Sequence, residues 1–206
     1  MIDQNQIEAL NEAYKSESPS TIIQKALELS SEVVVTTNFR PYEAAILHAV
    51  CKEKSNIPVI WCDTGYNTPQ TYKHAEQLIK DLALNVYLYV PKQTAAHRDV
   101  FIGIPDVDAP EHALFTEQVK LEPFKRAMDE HKPKVWFTNL REGQTAFRNS
   151  IGIFSLSKDG ILKVSPFYYW SDKKLDGYLK ENNLPNEFKY FDPTKVTANR
   201  ECGLHI

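Results

Sequence analysis

Apolar positions along this chain follow two rhythms, and their alternation sets the expected fold. Short runs rich in β-branched and aromatic residues lie at 33–37, 57–62, 86–90 and 135–138. Runs of that length bounded by polar turns read as buried strands. Between them the spacing becomes helical. Ser18 or Ser20 caps a helix to about Leu29, with Ile22, Ile23, Ala26 and Leu27 on one face. Pro41 is expected to open a second, carrying Ala44, Ala45, Leu47, His48 and Cys51, because proline is well tolerated at a first helical position. Thr68-Pro69 begins a third, to about Leu84, and 117–131 reads as a fourth in which Pro123 is a break or a restart. Ser171 caps a last helix over 172–182, and residues 1–19 form a short polar helix with a loop. The runs at 152–156 and 161–164 flank Lys158-Asp159-Gly160, a hairpin signal. Residues 91–115, with Pro91, Pro105 and Pro110, are expected to be irregular, and a loop of that length is usually functional.

Strands alternating with helices indicate βαβ units, hence an α/β fold with an open, mostly parallel sheet flanked by helices. The 206 residues suit one domain, 1–206, with 184–206 as a mobile C-terminal tail lacking a regular element. Cys51, on an apolar helix face, and Cys62, at a strand end, are expected to be packed, and His48 and His74 to be structural.

Composition mainly excludes. The chain is 42% hydrophobic and 25% charged, which suits a globular protein with a substantial core. A net charge of -3 gives no footprint for nucleic acid. No apolar run approaches the ~20 residues of a membrane span, and the polar, acidic start does not read as a signal peptide. Three cysteines, Cys51, Cys62 and Cys202, are too few for a disulfide framework, so a reducing cytoplasmic location is expected. They also cannot supply four thiolates to a zinc ion or an iron–sulfur cluster. No His, Asp or Glu group has ligand spacing, so no metal and no cofactor is expected. The glycine fingerprints of dinucleotide and P-loop sites are absent.

In an open α/β sheet, ligands bind beyond the carboxyl ends of the strands. The first strand ends in Thr36-Thr37-Asn38-Phe39, ahead of a helix N-terminus suited to an anion. The second ends in Asp63-Thr64-Gly65, where glycine permits close backbone approach. The fourth leads to Arg141, with Gln144 and Arg148 following at helical spacing; two arginines can fork onto phosphate or sulfate oxygens. Each also has a plainer reading, as strand residues, a capped turn and surface ion pairs. The last residues, Asn199 to Ile206, hold Arg200, Cys202 and His205. Neighbouring cations favour the thiolate that makes cysteine a nucleophile, though a free cysteine without a task fits the tail equally.

Together these blocks resemble the 3'-phosphoadenylyl-sulfate (PAPS) reductase family. Its terminal ECGLH matches Glu201-Cys202-Gly203-Leu204-His205. Its DTG with a PETY-like segment is similar to Asp63-Thr64-Gly65-Tyr66 and Pro69-Gln70-Thr71-Tyr72. A WFxGLRRxQSxxR block corresponds to Trp136, Phe137, Leu140, Arg141, Gln144 and Arg148. The likeness runs through about residues 30–206 in the family's order. It implies an adenine nucleotide alpha hydrolase-like fold with a modified PP-loop. It also implies PAPS as substrate, attack by Cys202 on the sulfonucleotide sulfur, and an S-sulfonate resolved by thioredoxin or glutaredoxin. Arg200 and His205 come with that motif, and the family suggests a homodimer. Several patterns depart, among them Asn199 where a lysine often precedes the terminal motif and a short stretch between the last helix and Cys202. The family's SSSFG loop is Thr36-Thr37-Asn38-Phe39-Arg40 here, keeping hydroxyls but not the glycine, and the second arginine of LRR is Glu142. Without cluster cysteines, PAPS is expected over adenylyl sulfate. A cluster-free adenylyl-sulfate reductase and a non-reducing nucleotide-binding module are the alternatives. Arg98, Lys120, Lys125 and Arg126 are candidates for reading the 3'-phosphate, with a solvated charged face as their plainer reading.

Overall fold

The computed structural model describes residues 2–195. Its six strands are β1 (Val33–Thr37), β2 (Pro58–Cys62), β3 (Asn85–Tyr89), β4 (Val135–Phe137), β5 (Phe154–Leu156) and β6 (Leu162–Val164). They form one sheet in the order β3-β2-β1-β4-β6-β5. All neighbours are parallel except β5, which runs antiparallel to β6. The central strand β1 pairs Val35 with Val59 on one side and with Phe137 on the other. From β1 the chain steps outward through β2 to β3 and then crosses to β4 on the other side of β1, and such a switch point opens a crevice at the strands' carboxyl ends.

The helices are α1 (Gln4–Tyr14), α2 (Pro19–Leu29), α3 (Glu43–Glu53), α4 (Pro69–Asp81), α5 (Ala95–Asp99), α6 (Glu111–Thr116), α7 (Glu122–His131) and α8 (Asp172–Glu181). Their starts follow side-chain chemistry. Ser18, Thr68, Thr94 and Ser171 each accept an N–H of the first turn, and Asp3 with Gln6 closes a capping box. The alternation of each strand divides its apolar residues between two faces. Val33, Val35, Val59 and Phe137 pack with α2, α3, α4 and α8 through Ile23, Leu47, Leu78 and Leu179. Val34, Ile60, Cys62 and Trp136 meet Ala127, Phe124 and Met128 of α7 on the other face.

Several expectations need correction. Pro41 does not open a helix; α3 begins at Glu43, after Tyr42 in left-handed backbone at φ 69°. Residues 91–115 are not wholly irregular, since α5 and α6 form there around buried Arg98, His112 and Phe115. The helix expected over 117–131 runs on from α6 through a π-helical turn, Glu117–Leu121, into α7, so Pro123 neither breaks nor restarts it and follows directly on the widened turn. The third helix stops at Asp81 rather than Leu84. Arg148 lies in a short 3-10 helix, Phe147–Ser150, with Arg141 and Gln144 in the loop before it.

The described part of the C-terminal segment has no helix or strand, yet it is fastened to the sheet's carboxyl edge. Asn186 Oδ1 accepts the Tyr42 N–H at 2.8 Å, and the Thr68 hydroxyl donates to the Lys189 carbonyl at 2.6 Å. Phe188 meets the Tyr42 ring edge-on. Lys120 and Asp192 form a buried ion pair at 2.5 Å. His48 and His74 serve packing: His48 Nδ1 lies 2.8 Å from the Tyr178 hydroxyl, and burial lowers the pKa of both rings.

Candidate active site

A cleft opens where the crevice rule places it. It is lined by Thr36 and Thr37 at the end of β1 with Asn38 and Arg40 after it, by Cys62 at the end of β2, by Thr138, Asn139 and Leu140 after β4, and by Lys120, Arg148, Tyr190, Asp192 and Lys195 from elsewhere. Four cations, Arg40, Lys120, Arg148 and Lys195, face two carboxylates, Glu43 and Asp192. The cleft is therefore locally positive in a chain of net charge -3, the condition for drawing in an anion.

The β1–α3 loop is built around one carboxylate. Glu43 Oε2 accepts the Thr37 hydroxyl at 2.8 Å, the Asn38 N–H at 2.7 Å and the Arg40 N–H at 3.4 Å; Oε1 accepts Arg40 Nε at 2.7 Å. Arg40 Nη2 then reaches the Asn139 carbonyl across the cleft at 3.3 Å. Thr36 accepts Trp136 Nε1–H at 2.9 Å, joining β1 to β4. Asn139 Oδ1 is buried with no partner among the described residues. An acceptor left so costs about 1–3 kcal/mol, which a ligand's donor would recover.

The other expected site residues divide. Phe39, at φ 53°, is fully buried against Trp61, ring centroids 4.8 Å apart, and packs the loop onto the core. Asp63 lies off the cleft lining. It accepts the Gly65 N–H, the Tyr72 hydroxyl and Asn67 Nδ2, so it organises the turn after β2. Thr64 is buried, and Gly65 adopts φ 81° with α5 so close that a Cβ would stand 3.3 Å from that of Ala95. Arg141 is ion-paired with Asp172 at 2.6 Å and stacks over Tyr42 at 5.3 Å. Gln144 accepts both the Arg141 N–H and Arg148 Nη1, tying the two arginines together. Of the pair, Arg148 reaches the cleft. Arg98 and Arg126 lie off its lining. Arg98 is sealed under the Phe115 ring, and Arg126 is paired with Glu122. Lys125 is exposed, so among the 3'-phosphate candidates Lys120 lines the cleft. Arg200, Cys202 and His205 lie outside the described residues. Both described thiols have their pKa pushed up by burial, Cys51 to about 11 and Cys62 to about 12. At neutral pH such thiols are protonated and poor nucleophiles.

Sequence reasoning missed Arg40, Glu43, Asn139, Tyr190, Asp192 and Lys195. The first two carried a signal, an opposite-charge pair three residues apart at the mouth of a strand. The last three were read as tail, and nothing local marks them.

Residues 32–191 match the phosphoadenosine phosphosulfate reductase domain. The chain belongs to that family. A phosphoadenosine 5'-phosphosulfate reductase from Photobacterium profundum is 32% identical over 97% of this chain and 88% of its own. A phosphoadenylyl-sulfate reductase from Candida auris, solved as a phosphate complex, superposes with a TM-score of 0.79 at 24% identity over 90% of each chain. An NH3-dependent NAD synthetase from Campylobacter jejuni gives a TM-score of 0.57 at 14% identity, covering 92% of this chain and 77% of that one. The last two likenesses concern the fold alone. Among the described residues no group of three or more His, Cys, Asp or Glu is placed to hold a metal ion, and no helix is long and apolar enough to cross a membrane.

Proposed function

We propose that this protein reduces PAPS to sulfite and adenosine 3',5'-bisphosphate, with Cys202 as nucleophile. The observation that carries the reading is a cation-rich cleft at the carboxyl ends of β1, β2 and β4 in a member of the PAPS reductase family. The Cys202 thiolate attacks the sulfate sulfur. The bond from sulfur to the bridging phosphate oxygen breaks, the bisphosphate leaves with that electron pair, and the enzyme retains Cys–S–SO3⁻. A thiolate of thioredoxin or glutaredoxin then attacks the Cys202 sulfur and expels sulfite. Its second thiol closes the donor's disulfide and returns Cys202 as a thiol. In this reading Arg148 and Lys120 neutralise sulfate and phosphate oxygens. Thr36, Thr37 and Asn38 flank them, Asn139 Oδ1 accepts from a hydroxyl or amine of the nucleoside, and Arg200 and His205 support the thiolate.

Phe39, Asp63, Thr64, Gly65, Arg141 and Gln144 hold those groups in place from behind. Cys202 follows Lys195, which lines the cleft, by seven residues. An extended chain of that length spans about 24 Å, so the tail is long enough to deliver its sulfur to the same subunit's cleft. A homodimer working in the cytoplasm within assimilatory sulfate reduction completes the proposal.

The test incubates purified protein with PAPS and reduced thioredoxin, assays sulfite, and measures intact mass without the donor. Wild type is expected to gain one sulfonate on Cys202 and to release sulfite on adding the dithiol. Cys202→Ser is expected to do neither while still binding adenosine 3',5'-bisphosphate. Equal sulfite production by the two proteins sinks the proposal.

A further inference from the structure

The loop after β1 would ordinarily offer its backbone N–H groups and the helix N-terminus behind them to a bound anion. In this chain two of those donors are already taken. The Asn38 and Arg40 N–H groups both point to Glu43 Oε2, at 2.7 and 3.4 Å, and the Thr37 hydroxyl joins them at 2.8 Å. Glu43 stands at the first position of α3, and its side chain is only 6% exposed. A buried carboxylate persists where charged and hydrogen-bonding partners compensate it, and Arg40 Nε at 2.7 Å is that partner. The same guanidinium donates to the Asn139 carbonyl beyond β4. One carboxylate therefore fixes three cleft residues, Thr37, Asn38 and Arg40, and through Arg40 links the loops of two adjacent strands. The backbone between these contacts is left-handed at Phe39 and Tyr42, neither a glycine, so the loop needs external support to keep its shape.

We propose that Glu43 is a positioning residue of the sulfonucleotide site. It acts as a built-in anion that occupies the loop's amide donors and aims Arg40, so that ligand oxyanions are met by side-chain cations rather than by loop amides. The inference rests on the PAPS reading above and adds how this chain holds the ligand without the family's glycine loop. It also separates Glu43 from residues that only stabilise the fold, because its effect on binding must pass through Arg40.

A double-mutant cycle tests this, with adenosine 3',5'-bisphosphate as the probe in calorimetric titration, Tm measured in parallel, and KM and kcat for PAPS. Glu43→Gln keeps the shape but removes the charge that pairs with the guanidinium and leaves one acceptor oxygen in place of two. It is expected to raise Kd and KM about tenfold, leaving kcat within twofold, since the sulfur chemistry is done by another residue. With Arg40→Ala already present, Glu43→Gln is expected to change Kd by less than twofold. The proposal is overturned if Glu43→Gln lowers Tm with Kd unchanged, if it tightens binding, or if its effect on Kd is as large without Arg40. Failure of wild type to bind the bisphosphate overturns the PAPS reading itself, and this inference with it. A wild type that binds and turns over while the cycle shows no coupling overturns this inference alone.

Discussion

At the scale of single residues, the structure is most demanding where two chain segments come closest. Gly152 has φ 81°, and a Cβ there would stand 2.8 Å from Asn11 Oδ1 and 2.9 Å from its Cγ. Asn11 cannot give way cheaply. It accepts the Phe154 N–H at 2.9 Å and donates to the Phe154 carbonyl at 2.8 Å, doing for the edge strand β5 what another strand would do. Gly152→Ala is therefore expected to cost about 2 kcal/mol, from left-handed strain plus loss of one or both of these bonds. Part of that cost depends on Asn11, so the same substitution in an Asn11→Ala background should cost only about 1 kcal/mol. Urea unfolding of the four proteins checks it; additive effects would mean that Asn11 moves aside freely. Neither residue was legible as a pair, because 141 positions separate them and each alone is an ordinary loop or helix residue. By contrast, the caps Thr68 and Ser171 were legible, and Ser18 as one of two choices with Ser20, since the chemistry that starts a helix is local.

At the scale of elements, legibility follows the same division between local and distant causes. The central strands showed through because β-branched runs buried on both faces need no partner to be recognised. Helices α5 and α6 did not. They are five and six residues long, below the length at which periodicity carries information, and what joins them is a contact between the two, Arg98 under Phe115. The segment after α8 was unreadable for a related reason. Its order comes from single contacts with distant residues, above all Lys120 with Asp192, 3% and 8% exposed. Burial would raise the Asp192 pKa, but the Lys120 ammonium and bonds from the Thr194 hydroxyl and N–H outweigh it, and the net direction is down from 3.8. A carboxylate with a depressed pKa stabilises fully above its unfolded value and loses that contribution as pH falls through the folded one. The fastening of 186–195 should then hold at neutral pH and weaken below about pH 3.8. Asp192→Asn brings the same loss to pH 7 by leaving Lys120 buried without its acid, at a cost of up to about 3 kcal/mol. Hydrogen exchange across 186–195 should accelerate at least tenfold in the variant, with β1 and β2 unaffected. Unchanged protection of 186–195 would show that Asn186 and Thr68 hold the segment unaided.

At the scale of the whole molecule, charge is distributed against the average. A protein of net charge -3 gathers Arg40, Lys120, Arg148 and Lys195 around one cleft. The sequence lists those cations but not their convergence, which the sheet order and the returning C-terminal segment create. The enclosed part of the cleft is only about 80 Å³, whereas small-molecule sites commonly reach 300 Å³ or more. Tyr190, Asp192 and Lys195 form part of its wall, and on the proposed reading the nucleotide displaces part of that segment as it enters. Arrival of the ligand is then a long-range electrostatic event followed by local opening, and salt should weaken the first step. Screening shortens from about 30 Å at 0.01 M salt to about 10 Å at 0.1 M. PAPS carries an additional phosphate compared with adenylyl sulfate, so its attraction to the cleft has more to lose. Raising salt over that range should lower kcat/KM for PAPS severalfold, and for adenylyl sulfate by a distinctly smaller factor, with kcat nearly constant for both. Removing one cleft cation by Lys195→Gln should flatten the PAPS slope toward that of adenylyl sulfate, because each charge contributes to steering in proportion to its nearness. Parallel salt slopes for the two nucleotides would mean that the cleft's cations are spent on Glu43, Asp192 and the protein's own carbonyls, and that the 3'-phosphate is read elsewhere.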